Sequence, residues 1–281
     1  MKPIIDGRPF YKMTGSGNDF IFFDARTVPP GDFESPAVIA RLCARGTGIG
    51  GDGVVFLIDH PSANIGLRYY NADGSLASLC GNATLCTVNL TATLGGVHTS
   101  GFTIFTDAGI VLARIRDGLP EFDLPTIDDA QPDYAAISRA PGELRLGYVT
   151  AGVPHIVIEV VDVSAVDVIG RGRSIRNDPS LPHGANVNFV APRTDGSWAI
   201  RTYERGVEGE TLACGTGNVA AAVLLKSWGE VNGRAESSDS VELMTKSGLV
   251  LEVRLAGSSE GGWKPSLRGE GRLVFLGETA V

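Results

Sequence analysis

Short apolar runs separated by glycine-containing polar turns dominate the hydrophobic pattern of the chain. The run 54–58 has the length of a buried strand, and the segment 65–70 alternates between apolar and polar positions. The Asp73-Gly74 pair that follows is a strong signal for a hairpin turn. The pattern therefore predicts a strand-rich fold. Further strands are predicted at 20–24, 102–104, 110–115, 145–150, 156–161, 186–190, 198–203, 241–244, 249–255 and 273–276.

A few segments have the spacing or composition of helices instead. In 35–45, apolar residues recur at helical spacing behind an N-cap serine and a proline at the first helical position. Runs of helix-forming residues follow the two Cys-Gly pairs and predict helices over 80–90 and 214–228. A further helix is predicted with Ser164 as its N-cap.

A weak internal repeat divides the chain. A strand, a polar turn, a Cys-Gly pair, a helix and more strands occur around Cys80, and again around Cys214. The repeat predicts two similar lobes, and the acidic, proline-containing stretch 120–129 is typical of a crossing between lobes. We predict an N-terminal lobe of residues 1–126 with Cys80, completed by the C-terminal strand 267–281, and a C-terminal lobe of residues 127–266 with Cys214.

The composition narrows the class of protein. A chain of 281 residues with 37 glycines, 43% hydrophobic residues and 7% aromatic residues favours an α+β fold over a helical bundle. The net charge of −8 argues against a nucleic-acid partner and favours a small-molecule one. No run approaches the roughly 18 apolar residues of a membrane span, and the N-terminus lacks a signal segment. We therefore expect a cytoplasmic protein without a membrane partner.

The four cysteines have no CxxC spacing, so we expect reduced thiols rather than a disulfide framework or a metal site. Cys43 lies on the apolar face of its predicted helix, and we interpret it and Cys86 as structural. The glycine-rich segment 46–53 lacks the Gly-Lys-Ser/Thr of a phosphate loop and is followed by a strand. We interpret it as the tight beginning of that strand.

Cys80 and Cys214 each precede a glycine at the start of a predicted helix. Free N–H groups and the positive end of the helix dipole favour a carboxylate there, and they lower the pKa of a thiol. Together with His155, Glu204 and Arg205, two such thiols fit one reaction. One thiolate removes the α-proton of an amino acid, and the other thiol returns a proton on the opposite face. This chemistry needs neither a metal nor a pyridoxal cofactor.

Two hypotheses from other classes remain. A cysteine hydrolase needs one thiol with one oriented histidine, which leaves a second matched cysteine unexplained. A small-molecule binding protein without turnover would not need two thiols. Taken alone, Cys80 fits a small buried hydrophobe, and His155 fits a hydrogen-bonded histidine at the beginning of a strand.

Seven motif-bearing segments follow one another along the chain at 12–20, 71–75, 80–82, 154–155, 184–187, 203–206 and 209–217. In these segments and in their order the sequence resembles the diaminopimelate epimerase family. The resemblance implies a cofactor-independent epimerase with two pseudo-symmetric lobes, each a β-barrel-like sheet wrapped around a central helix. It also implies an active site in the cleft between the lobes.

The resemblance further implies roles for individual residues. Cys80 and Cys214 are the paired acid and base, while His155 and Glu204 orient the α-amino group and support proton transfer. Arg205 would bind the distal carboxylate in a bidentate fork. The implied reaction converts LL-diaminopimelate to the meso form in lysine biosynthesis, and we consider a homodimer as the assembly. The implied substrate-binding residues are Asn18, Asn71, Gly81, Asn82, Asn186, Arg205, Gly215 and Thr216.

Several positions depart from the family pattern. Val153 stands where an Asn usually precedes the Pro-His pair, and Gly53 stands where a Gln usually follows the Asp of the glycine loop. Leu85 replaces an Arg behind the first cysteine, and the segment 206–214 is one residue longer than usual. Losing a buried polar partner typically costs about 1–3 kcal/mol. A racemase or epimerase of a different amino acid, using the same two cysteines, therefore remains the alternative.

Overall fold

The computed structural model describes residues 7–77, 79–229, 239–258 and 260–279. The chain forms two compact units. The first unit runs to Phe122 and includes the segment that begins at Gly269, and the second unit spans Asp123–Arg268. Over these described ranges, no helix combines the length and apolar character needed to cross a membrane.

The described residues form the elements named here in chain order. The strands are β1 (Pro9–Gly15), β2 (Asn18–Asp24), β3 (Gly53–Ile58), β4 (Ile65–Asn71), β5 (Leu76–Ala77), β6 (Phe102–Thr106), β7 (Gly109–Arg116), β8 (Leu119–Asp123), β9 (Glu143–Ala151), β10 (Val153–Val160), β11 (Asn186–Pro192), β12 (Trp198–Glu204), β13 (Gly209–Thr211), β14 (Ser240–Met244), β15 (Val250–Ser258), β16 (Gly262–Arg268) and β17 (Arg272–Glu278). The helices are α1 (Pro36–Cys43), α2 (Gly81–Leu94), α3 (Val168–Arg176) and α4 (Gly215–Ser227). Each predicted strand is confirmed, and β5 is the strand expected between the Asp73-Gly74 turn and Cys80, whereas the hydrophobic pattern does not predict β1, β8, β13 or β16.

Both units repeat one order of strand pairing. In the first unit, β1–β2, β3–β4, β6–β7 and β7–β8 are antiparallel, while β2–β3 and β4–β6 are parallel. In the second unit, β9–β10, β11–β12, β14–β15 and β15–β16 are antiparallel, while β10–β11 and β12–β14 are parallel. Strand β17 adds an antiparallel partner to β1. The predicted internal repeat is therefore confirmed in the strand order.

A buried helix lies at the centre of each unit. Helices α2 and α4 have buried residues around nearly their whole circumference, so both helices lie inside their units. Helix α2 contacts β1, β4, β7 and β17, and α4 contacts β9, β10, β11, β14, β15 and β16. Because strands contact each helix from several directions, each sheet curls around its own helix. The predicted α+β class is confirmed.

The peripheral helices pack on the outer part of each sheet. Helix α1 begins behind Ser35 as predicted, and its core cluster includes the stacked rings of Phe23 and Phe56 at 5.6 Å. The prediction of Ser164 as an N-cap is wrong, because the Asp162 carboxylate accepts its N–H at 2.8 Å within a separate 3-10 turn. Helix α3 is capped instead by Asp167, whose carboxylate accepts a hydrogen bond from the N–H of Gly170 at 2.9 Å.

Candidate functional site

The two cysteines singled out by sequence occupy the same position in their units. Cys80 is the N-cap of α2 with φ −129° and ψ 116°, and Cys214 is the N-cap of α4 with φ −129° and ψ 109°. Cys214 is buried, and Cys80 is partly exposed. The first N–H groups of each helix lack an acceptor within the helix. Each thiol therefore stands beside backbone donors suited to a carboxylate. These donors include the predicted positions Gly81, Asn82, Gly215 and Thr216.

The carbonyl of each N-cap cysteine is held by the residue four positions later. Thr84 donates from its hydroxyl to the Cys80 carbonyl at 2.9 Å, and Asn218 donates from Nδ2 to the Cys214 carbonyl at 2.7 Å. The backbone N–H of each of these residues also donates to the same carbonyl, at 2.9 Å and 3.0 Å. Both helix starts are thus fixed by a buried polar side chain. Sequence reasoning missed this pair, whose signal is a hydrogen-bonding side chain four positions after each N-cap cysteine.

In the first unit, a chain of hydrogen bonds connects Asn82 to Asn18. Nδ2 of Asn82 donates to Oδ1 of Asn18 at 2.7 Å, and Nδ2 of Asn18 donates to Oδ2 of Asp52 at 2.9 Å. The other Asp52 oxygen accepts from Arg45 at 2.8 Å. Since Asn82 lies in the first turn of α2, these bonds tie the helix start to the glycine turn before β2. Asp52 and Arg45 are members of this network that sequence reasoning did not single out.

Asp19 extends this network to two cations. Its carboxylate accepts from Lys12 at 2.5 Å and from Arg45 at 2.5 Å. Burial raises the pKa of Asp19, but the hydrogen bonds from Arg45 and Lys12 outweigh that effect and hold the pKa below its usual value. The carboxylate therefore stays ionised, and its ion pairs with Lys12 and Arg45 hold the turn around Asn18 in place.

Asn71 ends β4 directly opposite Gly53 of β3. Its Nδ2 donates to the hydroxyl of Ser75 in the following turn at 3.0 Å, which fixes the amide. At Gly53 an added Cβ would lie 2.5 Å from Cε2 of Tyr69 and 2.9 Å from its hydroxyl oxygen. The ring of Tyr69 thus fills the space that a side chain at position 53 would need. The Gln of the family pattern would therefore not fit at this position without a shift of Tyr69 and of the carbonyl of Tyr70.

In the second unit, three strands bring predicted residues to one edge of the sheet. Strands β10 and β11 are parallel, and His155 of β10 pairs in register with Asn186 of β11. The antiparallel pairing of Val187 with Tyr203 then places Glu204, at the end of β12, beside Asn186. An imidazole, an amide and a carboxylate therefore share this edge.

Arg205 follows directly, and its conformation is fixed by two contacts. The side-chain oxygen of Asn186 accepts a hydrogen bond from the Arg205 N–H at 2.8 Å. The Arg205 guanidinium donates from Nη1 to the carbonyl of His183 at 2.8 Å. Since Asn186 uses its oxygen to hold the turn, the chemistry it retains for a ligand is that of an N–H donor.

His155 is fully buried and neutral. Burial lowers the pKa of its imidazole to about 3, and the positive charge of Arg205 acts in the same direction. Nδ1 of the ring lies 3.2 Å from Nδ2 of Asn188, a buried residue that sequence reasoning did not single out. At physiological pH the ring therefore carries one proton and no charge.

The longer segment before Cys214 is anchored at Glu208, which has a φ of 56°. The Glu208 carboxylate accepts from the Tyr203 hydroxyl at 3.1 Å, from Arg176 at 3.1 Å and from the N–H of Gly206 at 3.1 Å. The extra residue is thus accommodated in a turn that three hydrogen bonds to the Glu208 carboxylate hold in place.

The remaining two cysteines are buried, as predicted. Cys43 belongs to the core cluster beneath α1, and burial raises the pKa of its thiol to about 11. Burial also raises the pKa of Cys86 well above its ordinary value. Neither thiol ionises near neutral pH, which leaves the two N-cap cysteines as the candidates for thiol chemistry.

The predicted site residues divide between the two units. Cys80, Asn18, Asn71, Gly81 and Asn82 belong to the first unit. Cys214, His155, Glu204, Asn186, Arg205, Gly215 and Thr216 belong to the second unit. Within its own unit, each set gathers around the start of the central helix and one edge of the sheet.

Comparison with solved structures supports the fold. The chain is similar to a phenazine biosynthesis protein of the PhzF family from Bacillus anthracis, with a TM-score of 0.72 at 12% identity, over 99% of this chain and 100% of that chain. It is also similar to a hydroxyproline epimerase from Agrobacterium vitis, with a TM-score of 0.70 at 18% identity, over 98% and 93% of the two chains. At these identities the likeness concerns the fold alone.

Comparison of sequences goes further. The profile of the family described as diaminopimelate epimerase matches residues 10–122 and 147–260. A diaminopimelate epimerase of Gemmatimonas aurantiaca is 49% identical over 96% of this chain and 99% of its own length. The diaminopimelate epimerase of Aquifex aeolicus is 35% identical over 87% of this chain and 88% of its own length. The chain belongs to the diaminopimelate epimerase family.

Proposed function

We propose that the protein converts LL-diaminopimelate to meso-diaminopimelate by two-base proton transfer at the α-carbon, without a cofactor. The observation that carries this proposal is the matched placement of Cys80 and Cys214. Both are N-caps of buried central helices with nearly identical backbone angles. Family membership supports the substrate, since the curated relatives are named diaminopimelate epimerases.

In the proposed reaction, the thiolate of one cysteine takes the α-proton. The C–H bond breaks, an S–H bond forms, and the electron pair stays on the α-carbon and its carboxylate. The thiol of the other cysteine then gives its proton to the opposite face of the carbon and becomes a thiolate. The first-turn N–H groups of α2 and α4 bind the α-carboxylate and stabilise the charge that builds on it.

The second unit supplies the groups that orient the substrate in this proposal. Glu204 and His155 hold the α-amino end, and Asn186 contributes its N–H donors. Arg205 binds the distal carboxylate, and the hydrogen bond from its Nη1 to the carbonyl of His183 supports that role because a preorganised guanidinium loses less entropy on binding. Asn18, Asn71 and Asn82 of the first unit complete the binding residues.

A second candidate function is racemisation or epimerisation of another amino acid by the same two cysteines. The packing of Tyr69 against Gly53 and the presence of Val153 favour it, because both positions lack the polar side chains of the family pattern.

An exchange experiment tests both candidates. The pure protein is incubated in deuterated water with LL- and meso-diaminopimelate and with a panel of other L- and D-amino acids, and α-deuterium uptake is followed by NMR. We expect uptake with diaminopimelate only, and a loss of at least about 100-fold in the rate of conversion between the LL and meso forms in Cys80→Ala and Cys214→Ala. Cys43→Ala is the matched control, since this buried thiol lies outside the site.

Uptake with a different amino acid alone would move the assignment to the second candidate. No uptake with any amino acid would support a binding protein without turnover. A Cys80→Ala or Cys214→Ala protein with the wild-type rate would contradict the two-base mechanism.

The proposal places the enzyme in lysine biosynthesis in the cytoplasm, as a homodimer. Strand β17 supports the dimer, because Leu273, Val274, Phe275 and Leu276 on it are 38–64% exposed, which is unusual for four consecutive apolar residues. Sedimentation of wild type and of Val274→Lys/Leu276→Lys tests it. The wild type should sediment as a dimer and the variant as a monomer, and a monomeric wild type would contradict the dimer.

A further inference from the structure

Asn188 is a buried polar hub beneath His155. Its side chain is fully buried in the second unit and contacts two other strands, β10 and β12, and the first turn of α4. Nδ2 donates to the carbonyl of Ile156 at 3.1 Å and lies 3.2 Å from Nδ1 of His155. Oδ1 accepts from the hydroxyl of Thr202 at 2.9 Å. An added Cβ at Gly217, in the first turn of α4, would collide with the same oxygen.

These contacts fix the orientation of the Asn188 amide. A backbone carbonyl only accepts hydrogen bonds, so the atom facing Ile156 has to be the NH₂ nitrogen. The hydroxyl of Thr202 agrees with this orientation, since it donates to the amide oxygen on the other side. The second N–H of Asn188 then points to Nδ1 of His155, and this ring nitrogen has to accept.

We propose that Asn188 is a positioning residue that holds His155 as the neutral tautomer with its proton on Nε2, so that Nε2–H is presented as a donor to the substrate. This proposal rests on the proposed function. Nε2 is buried and has no hydrogen-bond partner within the described ranges, as expected of a donor whose acceptor arrives with the ligand.

The tautomer revises one role in the proposed function, in which His155 and Glu204 together hold the α-amino end of the substrate. An Nε2–H group cannot accept a hydrogen bond from an α-ammonium group, so that task falls to Glu204 at the end of β12. His155 donates instead to an acceptor of the substrate, for which a carboxylate oxygen is the ordinary partner. Its low pKa agrees with this role, since the ring does not take up a second proton in the physiological range.

The Asn188→Asp variant should reverse the tautomer preference of His155. The oxygen that replaces Nδ2 faces both Ile156 and His155. When protonated, it donates to the carbonyl of Ile156 and accepts from Nδ1–H, and when ionised it can only accept from Nδ1–H. In both states the imidazole proton moves from Nε2 to Nδ1. Thr202→Val is the matched control, because it removes the partner of Oδ1 while Ile156 still fixes the amide.

The tautomer is measured in the ligand-free protein by long-range ¹H–¹⁵N NMR of ¹⁵N-histidine. The chain has 4 histidines, and the His155→Gln spectrum assigns the signals of His155. We expect the Nε2–H pattern in wild type and in Thr202→Val, and the Nδ1–H pattern in Asn188→Asp. The kcat of Asn188→Asp for diaminopimelate should fall at least about tenfold.

An Nδ1–H pattern in wild type, or an unchanged Nε2–H pattern in Asn188→Asp, would overturn the inference. Should Asn188→Asp fail to fold, the wild-type spectrum decides the tautomer by itself. An Nε2–H wild type that exchanges no proton of diaminopimelate would overturn the proposed function and leave the tautomer assignment standing. An Nδ1–H wild type with normal exchange would overturn this inference alone.

Discussion

Gly53 departs from the family pattern at a tightly packed position, so the stability cost of adding a side chain there can be measured directly. An added Cβ there would lie 2.5 Å from Cε2 of Tyr69 and would also press on the backbone carbonyl of Tyr70. Tyr69 cannot easily move away, because it is only 7% exposed and packs edge-to-face on Phe20 at 5.9 Å. The substitution Gly53→Ala should therefore overpack this part of the first unit.

The expected magnitude follows from these contacts. Overpacking a well-packed core costs about 1–3 kcal/mol, and the involvement of a backbone atom places Gly53→Ala near the upper end, at about 2–3 kcal/mol. Equilibrium urea unfolding measures the loss of unfolding free energy. Gly101→Ala is the matched control, since an added Cβ at Gly101 has nothing within 4 Å. A Gly53→Ala protein within about 0.5 kcal/mol of wild type would refute the reasoning.

A double-mutant cycle isolates the contribution of the ring. Tyr69→Val removes most of the obstacle, so Gly53→Ala should cost about 1 kcal/mol less in that background than in wild type. The relief should be incomplete, because the carbonyl of Tyr70 remains in place. Additive losses would mean that Tyr69 does not exclude a side chain from position 53.

Two further predictions concern charged groups of the first unit. Glu121 has a side chain with no exposed surface, accepts a hydrogen bond from Nε of Arg114 at 2.8 Å and forms an ion pair with Nε of Arg116 at 3.1 Å. Glu121→Ala should lower the unfolding free energy in urea by about 3 kcal/mol, and a loss below about 1 kcal/mol would contradict this. Burial raises the pKa of Asp19, but the hydrogen bonds from Arg45 and Lys12 lower it more, so the pKa in the folded protein lies below its ordinary value. The ionised carboxylate therefore stabilises the fold at pH values above about 4, and this stabilisation is lost as the pH falls through the folded-state pKa. Arg45→Met should raise the pKa of Asp19, so its urea unfolding midpoint should begin to fall at a higher pH than that of wild type. Identical dependence of the midpoint on pH below neutrality in the two proteins would argue against this.

The strands that could be predicted are those whose apolar pattern is local. Strand β8 (Leu119–Asp123) was not among them, because Pro120 and the inward-facing Glu121 interrupt the apolar pattern that indicates a strand. A buried carboxylate fits a strand only where neighbours supply its partners, and here Arg114 and Arg116 of β7 do so. That pairing depends on the strand register, which composition and spacing do not specify. The α+β class and the family, by contrast, were predicted and are confirmed.

The site shows the same division between local and distant information. Cys80 and Cys214 were recognisable because the residues that define an N-cap are adjacent in sequence. Asn188 was not, since its importance comes from Ile156, Thr202 and Gly217, which lie on other elements. Residues that position a group from across the fold leave no spacing in the sequence, so they become visible only through their contacts.

The repeated strand order lets equivalent positions of the two units be compared. Where the second unit aligns a histidine, an asparagine and a glutamate across three strands, the first unit aligns a phenylalanine, a glycine and an asparagine. The sets are His155, Asn186 and Glu204, and Phe20, Gly53 and Asn71. The thiol settings match, so the repeat preserves the two N-cap cysteines and varies the rest. An α-carbon has two faces for protons but one amino group to hold. Under the proposed function, one set of polar side chains therefore suffices, and the set His155, Asn186 and Glu204 lies in the second unit.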